Sequence, residues 1–287
     1  MTILPELPVL PAAAPTRAAE WRSRVMAPRV VAGAVLLGVL AAAVAPGLLA
    51  PGDPLAVHPV DAFSAPSLAH PFGTDDSGRD LYTRVVHGAS ASLLIGVAAT
   101  LIGTLLGLVL GIAAGVGTRL TDAAVSRVLE VLFALPGLLL ALVIIAFAGP
   151  GPIPATLAVG LATAPGYARI FRTRIRAVRS SEMVEAARVL GRGPLTLLVR
   201  HVLPNALAPV VVLATLGVGQ AIVWASSLSY LGLGSPPPAP EWGAMLEAGR
   251  TYLQIAPWMT VFPGLAIVAT AAATTVVGRA FAGAGRR

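Results

Sequence analysis

From Ala89 to Gly117 the chain runs without a single charged side chain. At about 1.5 Å of rise per residue, a helix of that length exceeds the ~30 Å hydrocarbon core of a bilayer. Further apolar stretches run from Arg29 to about Ala50, Val128 to Ala148, Ala155 to Tyr167 and Ala206 to Leu228. A sixth opens at Ala256-Pro257-Trp258 and ends near Val277. Of the 287 residues 56% are hydrophobic and only 11% charged, too little polar surface for a soluble domain of this size. The expected fold is therefore all-α: a polytopic membrane protein of six transmembrane helices. Gly103, Gly107, Gly111 and Gly115 recur at i+4 and carve a shallow groove for another helix. Pro136-Gly137 breaks the third span, kinking or unwinding it.

Arginine placement orients the bundle. With Met1 to Pro28 read as a disordered basic leader inside, inner segments hold Arg17, Arg22, Arg24, Arg29, Arg119, Arg127, Arg279, Arg286 and Arg287. They also hold the crowd Arg169, Arg172, Arg174, Arg176, Arg179, Arg188, Arg192 and Arg200. Burying that crowd in lipid would cost on the order of 20 kcal/mol, at about 2.5–3.5 each. Outer segments hold only Arg79, Arg84 and Arg250, the imbalance that the positive-inside rule describes. Orientation thus accounts for the net charge of +7, and nucleic acid is not an expected partner. A cleaved signal peptide competes for the first stretch, since Ala43-Val44-Ala45 mimics a cleavage site; the long leader and later spans favour an uncleaved anchor.

Absences narrow the chemistry. There is no cysteine, so thiolate metal sites and disulfides are excluded. Apart from Glu130 near an end, the spans hold neither acid nor histidine, so no intramembrane ion relay is visible. No G-x-x-x-x-G-K-[ST] loop, H-E-x-x-H or nucleophile–base arrangement occurs. No catalytic, cofactor-binding or metal residue is expected, and the energy for any transport must come from another chain. In the polar loop from Pro51 to Arg84, Asp53, Asp61, Asp75, Asp76 and Asp80 would either ligate a divalent cation or serve as turns and caps. His58, His70 and His87 are too scattered for a transition-metal site.

One inner stretch is not greasy. Ser181 can cap a helix whose first turn carries Glu182 and Glu185 near its positive end. Gly191 suits the left-handed position that ends a helix, Pro194 opens a second and Pro204 closes it. Thr118 to Arg127, by contrast, reads as a short basic turn. Two short helices with a hinge, tied to membrane spans at both ends, suit the transmission of force from a soluble partner.

Glu185-Ala186-Ala187, Gly191 and Leu203-Pro204 stand at the spacing of the "EAA" loop, and here the chain resembles ABC importer permeases. His70-Pro71-Phe72-Gly73-Thr74-Asp75-Asp76-Ser77-Gly78-Arg79-Asp80-Leu81 is similar to a segment of their dipeptide/oligopeptide/nickel branch. So are the run from Ser227 to Gly234, Glu241-Trp242-Gly243 and Phe262-Pro263-Gly264-Leu265. The likeness spans about residues 20 to 268 and fails at Thr274-Thr275-Val276-Val277-Gly278-Arg279.

The resemblance implies a type I ABC importer transmembrane domain in the bacterial cytoplasmic membrane, N-terminus inside. Its division would be 1–28 leader, 29–87 anchor plus outer loop, 88–280 importer domain with a coupling loop at 171–204, and 281–287 tail. A cytoplasmic coupling helix at 181–191 would dock on an ATPase through Glu185, Ala186 and Ala187, with Gly191 as hinge and Pro204 at re-entry. Gln220, Trp224, Ser226 and Ser227 are candidate pathway residues, within a group extending to Ser229. Implied partners are a second permease subunit in a heterodimer, two ATPase subunits that hold ATP-Mg, an extracytoplasmic solute-binding protein and membrane lipid. Di- or oligopeptides are the implied cargo, with nickel or another small solute as the alternative; an ion-coupled secondary carrier is the competing class.

Overall fold

The computed structural model describes residues 17–207 and 210–284, with side chains from 28 onward except 211 and 282–284. Among them the fold is all-α, and the one bridge of β type joins Thr74 and Asp80. Helix α1 (Arg17–Val44) and the single turn α2 (Pro46–Leu49) precede the polar loop. Then come α3 (Leu81–Val116), α4 (Arg119–Phe133), α5 (Gly137–Ala148) and α6 (Pro152–Arg179). The inner segment contains α7 (Glu182–Val189), α8 (Pro194–Leu197), a π turn (Leu198–Val202) and α9 (Leu203–Leu207). The chain closes with α10 (Val210–Tyr230), α11 (Trp242–Arg250) and α12 (Trp258–Ala284).

All the apolar stretches of the sequence fall on helices, but not all to the same length. Leu81–Val116, Val212–Tyr230 and Trp258–Phe281 are each long and apolar enough to cross a membrane. Helices α4 and α5 qualify only jointly, across a bend of 92°. The apolar part of the first helix, Pro28–Val44, is shorter. In α6 the apolar half gives way to arginines while the helix continues to Arg179.

Helices α3 and α6 form the backbone of the bundle. A Cβ added at Gly111 would meet Phe171 Cβ at 2.6 Å and Ala168 O at 3.0 Å; one at Gly103 would meet Gly160 O at 2.9 Å. The glycine stripe is thus the seam of this pair, where backbones approach closely. One core joins Ile95 and Ala99 of α3, Ala141 and Ile145 of α5, Val159 of α6 and Leu228 of α10. A second gathers Ala42, Val85, Ile222, Trp242 and Ile267 from α1, α3, α10, α11 and α12. Outside these cores Leu94, Leu105, Val109, Leu265 and Val268 stay exposed, the apolar exterior expected toward lipid.

The polar loop is bolted down by its own acids, which make turns and caps. Asp80 caps α3, accepting from Thr83 N at 2.8 Å, and its other oxygen meets His70 Nδ1 at 3.1 Å. Asp75 accepts from the backbone of Ser77 and Arg79, and from Arg79 Nε at 2.7 Å. Trp258 Nε1 donates to Thr74 O at 3.0 Å, and Arg84 reaches Pro54 O and Pro238 O. On the other side of that contact, buried Glu241 caps α11 through the N–H groups of Gly243 and Ala244.

Several boundaries differ from expectation. Helix α1 already begins at Arg17, inside the stretch read as a disordered leader, whose residues 1–16 lie outside the described ones. Helix α12 continues past Val277 to Ala284, through part of the expected tail. Thr118 to Arg127 is not a turn: Thr118 Oγ1 accepts from Thr121 N at 3.3 Å and opens α4. The break at Pro136-Gly137 is sharper than a kink, because Pro136 has extended ψ (137°) and supplies no N–H to a continuing helix.

Candidate functional site

Helix α7 is held from one side only. Val184 and Ala187 are buried against Ile175, Leu197, Val202 and Ala206. Glu185 and Ala186 face out, as do Met183, Val189 (81% exposed) and Leu190 (79%). Leu195 on α8 extends this uncovered apolar surface. The result is a small knob, seated on α6, α8 and the π turn, with an acid among bare aliphatic side chains. Among the described residues Glu185 pairs with its own helix, accepting from Arg188 Nη1 at 2.7 Å.

The helix ends are made as the residues dictate, with two exceptions. Gly191 sits at φ +75°, its N–H donating to Arg188 O, while Arg192 N reaches back to Ala187 O at 3.2 Å. That pair of bonds is the Schellman closure that favours glycine. Ser181 occupies the N-cap, yet its hydroxyl donates backward to Val178 O at 2.7 Å and caps nothing in α7. Pro204 does not close the second helix either. The π turn before it brings Leu203 N to Leu198 O, a wider ring that accommodates the proline, and helix continues to Leu207. Asn205 Nδ2 then donates to His201 O at 2.7 Å.

The candidate pathway residues divide into two places. Gln220 and Trp224, one turn apart on α10, line a cavity of about 350 Å³ with Thr163, Tyr167, Phe133 and Leu132. Its walls are apolar and aromatic, and the polar side chains in it carry no charge. Ser226 and Ser227 do not join them. They border a separate apolar groove with Tyr230, Leu246 and Val268. Ser227 Oγ is occupied by Val223 O at 2.8 Å, and Ser226 lies buried beside Gly243. Rotation about α10 turns Ser226 away, and Ser227 lies nearly a turn further along the helix. Tyr167 and Phe133 escaped sequence reading, since nothing local says that they face the same void.

The arginine crowd is also ordered. Arg172 Nε and Arg176 Nη2 converge on the carboxylate of Asp122, at 2.8 and 2.6 Å. Arg179 Nη1 donates to Gly115 O at 2.7 Å, at the carbonyl end of α3. Hydrogen bonds from Arg176, joined by Arg172, hold the Asp122 carboxyl below its usual range. Asp122 lies in the first turn of α4, ahead of the apolar run that opens at Val128. A lowered value means that the contact is complete above the ordinary carboxylate range near pH 3.9 and is lost only as pH falls through the lowered one. Thermal melting of the detergent-solubilised chain is therefore expected to keep the contribution of Asp122 unchanged between about pH 7 and 5. Any loss due to this residue appears only in stronger acid, and Asp122→Asn removes that acid-dependent part.

Three of the described helices are long and apolar enough to cross a membrane, and α7 stands half-uncovered. The chain belongs to the family "Binding-protein-dependent transport system inner membrane component", which matches residues 107–284. It is 45% identical over 215 residues to the glutathione transport system permease protein GsiD of Shigella flexneri serotype 5b, covering 75% of this chain and 71% of that one. It is 37% identical over 221 residues to the dipeptide transport system permease protein DppC of Alkalihalophilus pseudofirmus, covering 77% and 73%. Among solved structures, a chain of the inward-facing MetNI methionine ABC transporter superposes with a TM-score of 0.57 at 20% identity, covering 71% of this chain and 97% of that one. A chain of an amino acid ABC transporter with histidines gives 0.56 at 19% identity, covering 72% and 95%. At such identities the likeness is one of fold, and that fold is the type I ABC importer transmembrane domain. The chain is an ABC importer permease of the inner membrane, a transporter component and not an enzyme.

Proposed function

We propose that this permease forms half of a pathway for di- or oligopeptides, paired with a different permease subunit. Two ATPase subunits hold the ATP-Mg, and an extracytoplasmic binding protein delivers the cargo. The division into leader, anchor with outer loop, importer domain and tail stands as part of this reading, with the N-terminus in the cytoplasm. ATP binding closes the ATPase pair, the docked 181–191 helices follow, and the spans rock to the outward-open state. Glu185 and Ala186 bear the docking with their apolar neighbours, Ala187 seats the helix, Gly191 sets its end, and Pro204 leads toward the fifth span. The observation that carries this reading is the knob itself, anchored through Val184 and Ala187 and bare on its other face. Cargo passes Gln220 and Trp224, whose uncharged cavity offers hydrogen bonds and aromatic surface to amide groups.

The peptide names of the relatives support the cargo class. The test is growth of a deletion strain on defined dipeptides as nitrogen source, alongside nickel limitation. Loss of growth on dipeptides alone, restored by this chain, is the expected result. A defect confined to nickel limitation overturns the cargo. Uptake by the isolated chain in liposomes, driven by an ion gradient without any ATPase, overturns the coupling.

A further inference from the structure

Arg169, Arg172, Arg176 and Arg179 recur at i, i+3, i+7 and i+10, which places them on one face of α6. Each touches something on a different helix. The guanidinium of Arg169 lies 4.0 Å above the Phe133 ring, at the far end of α4. Arg172 and Arg176 share Asp122 in the first turn of α4. Arg176 and Arg179 reach the last carbonyls of α3, Ala114 O at 3.4 Å and Gly115 O at 2.7 Å. Only Ser180 and Ser181 separate Arg179 from α7.

Helix α4 needs such a grip. Leu129 is its sole buried residue, so apolar packing holds it only weakly. Yet α4 leads directly into the 92° elbow, where Leu132, Phe133 and Leu135 line the cavity of Gln220 and Trp224. The covalent route from α7 to this elbow runs the length of α6, around the turn at Gly149–Gly151, and back along α5. The arginine face offers a second route: Arg172 and Arg176 tie α6 to the first turn of α4, Arg169 ties it to Phe133 at the other end, and α6 itself runs on to the start of α7.

We propose that Asp122, clamped by Arg172 and Arg176, is a positioning residue through which movement of α7 drives the α4–α5 elbow and so opens or closes the cavity. Arg169 on Phe133 completes the grip at the elbow itself. A carboxylate bridging two guanidiniums resists both sliding and separation, since charge-assisted bonds with fixed fork geometry hold direction as well as distance. The proposal rests on the coupling role of α7 given above.

The test uses the assembled transporter with its ATPase and binding-protein partners in proteoliposomes, with a labelled dipeptide as cargo. Asp122→Asn is expected to lower dipeptide transported per ATP hydrolysed about tenfold, within the 5–150-fold span of typical site-to-site coupling. Asp122→Glu is expected to restore it to within about twofold, because the charge returns. The chain has no cysteine, so Leu132→Cys provides a sole thiol at the cavity. Its maleimide labelling rate is expected to change on ATP binding, and Asp122→Asn to abolish that change. Unaltered stoichiometry in Asp122→Asn, or equal loss in Asn and Glu variants, overturns the proposal. If Asp122→Asn does not assemble, Arg169→Gln on the same background carries the same expectation and the same overturning result. Glu185→Lys run in parallel separates the two ideas: if it uncouples while Asp122→Asn does not, only the arginine link falls. If neither uncouples, the coupling role of α7 falls with it.

Discussion

Replacing Glu185 by lysine is expected to abolish cargo-stimulated ATP hydrolysis by the assembled transporter while leaving the permease folded. The residue is exposed, and its one partner, Arg188, is exposed as well and lies on the same helix. Such surface pairs contribute about 0–1 kcal/mol, so the melting temperature of the permease alone should shift by no more than about 2–4 °C. Docking changes the balance. Once the knob is covered, Glu185 is surrounded by Met183, Val189 and Leu190 and by whatever the partner contributes. Losing one member of a buried charge pair costs about 2–5 kcal/mol, and reversing its sign adds repulsion. ATPase binding is thus expected to weaken by at least about 30-fold, and transport with it. Val184→Asp provides the contrast. Val184 is only 1% exposed, so an unpaired carboxylate there should unseat α7 and lower the melting temperature of the permease itself. Wild-type uptake by Glu185→Lys would remove α7 from the coupling path.

Much of this architecture was legible because lipid is an undemanding reader of sequence. The uncharged run from Ala89 to Gly117 has no alternative but a long helix, and the glycines within it could only mean close approach. Gly191 was equally plain, since the left-handed closure of a short helix penalises any side chain. The misreadings have different causes, one distant in the chain and the others local. Arg119, Asp122 and Arg127 made α4 look like a basic turn, because the arginines that balance Asp122 lie 50 residues further on, in α6. Pro204 looked like a stop because the π turn that accommodates it has no sequence signature. Ser226 looked like a neighbour of Trp224, but two residues along a helix turn a side chain by about 200°; Ser227 stays near the same face, yet its hydroxyl is bonded back to Val223 O. A 92° elbow could be suspected from Pro136-Gly137, yet its angle is fixed by what α4 and α5 each pack against.

Gly107→Val is the substitution expected to damage the protein most. A Cβ at this position would meet Ala164 O and Ala168 N, each at 2.9 Å, and Tyr167 Cβ closer still. None of these atoms can rotate aside, as two are backbone and the third is fixed to it. Overpacking in a compliant core costs about 1–3 kcal/mol, and a clash with rigid backbone belongs at or above the top of that range. The strain cannot stay local. Gly103, Gly111 and Gly115 hold the same seam at successive turns, so prising α3 from α6 at its middle opens contacts on both sides. The expected results are a fall in melting temperature of roughly 6–12 °C in detergent and poor recovery from membranes, by the usual 2–4 °C per kcal/mol for chains of this order of size. Gly38→Ala is the control, for nothing lies within 4 Å of its added Cβ and alanine favours helix. Because α6 also bears the arginine face and seats α7, any Gly107→Val protein that does reach the membrane should bind its ATPases yet transport poorly. Normal stability in that variant would mean that α3 and α6 do not meet along this stripe, and the cavity, the elbow and the knob would then lose their common frame.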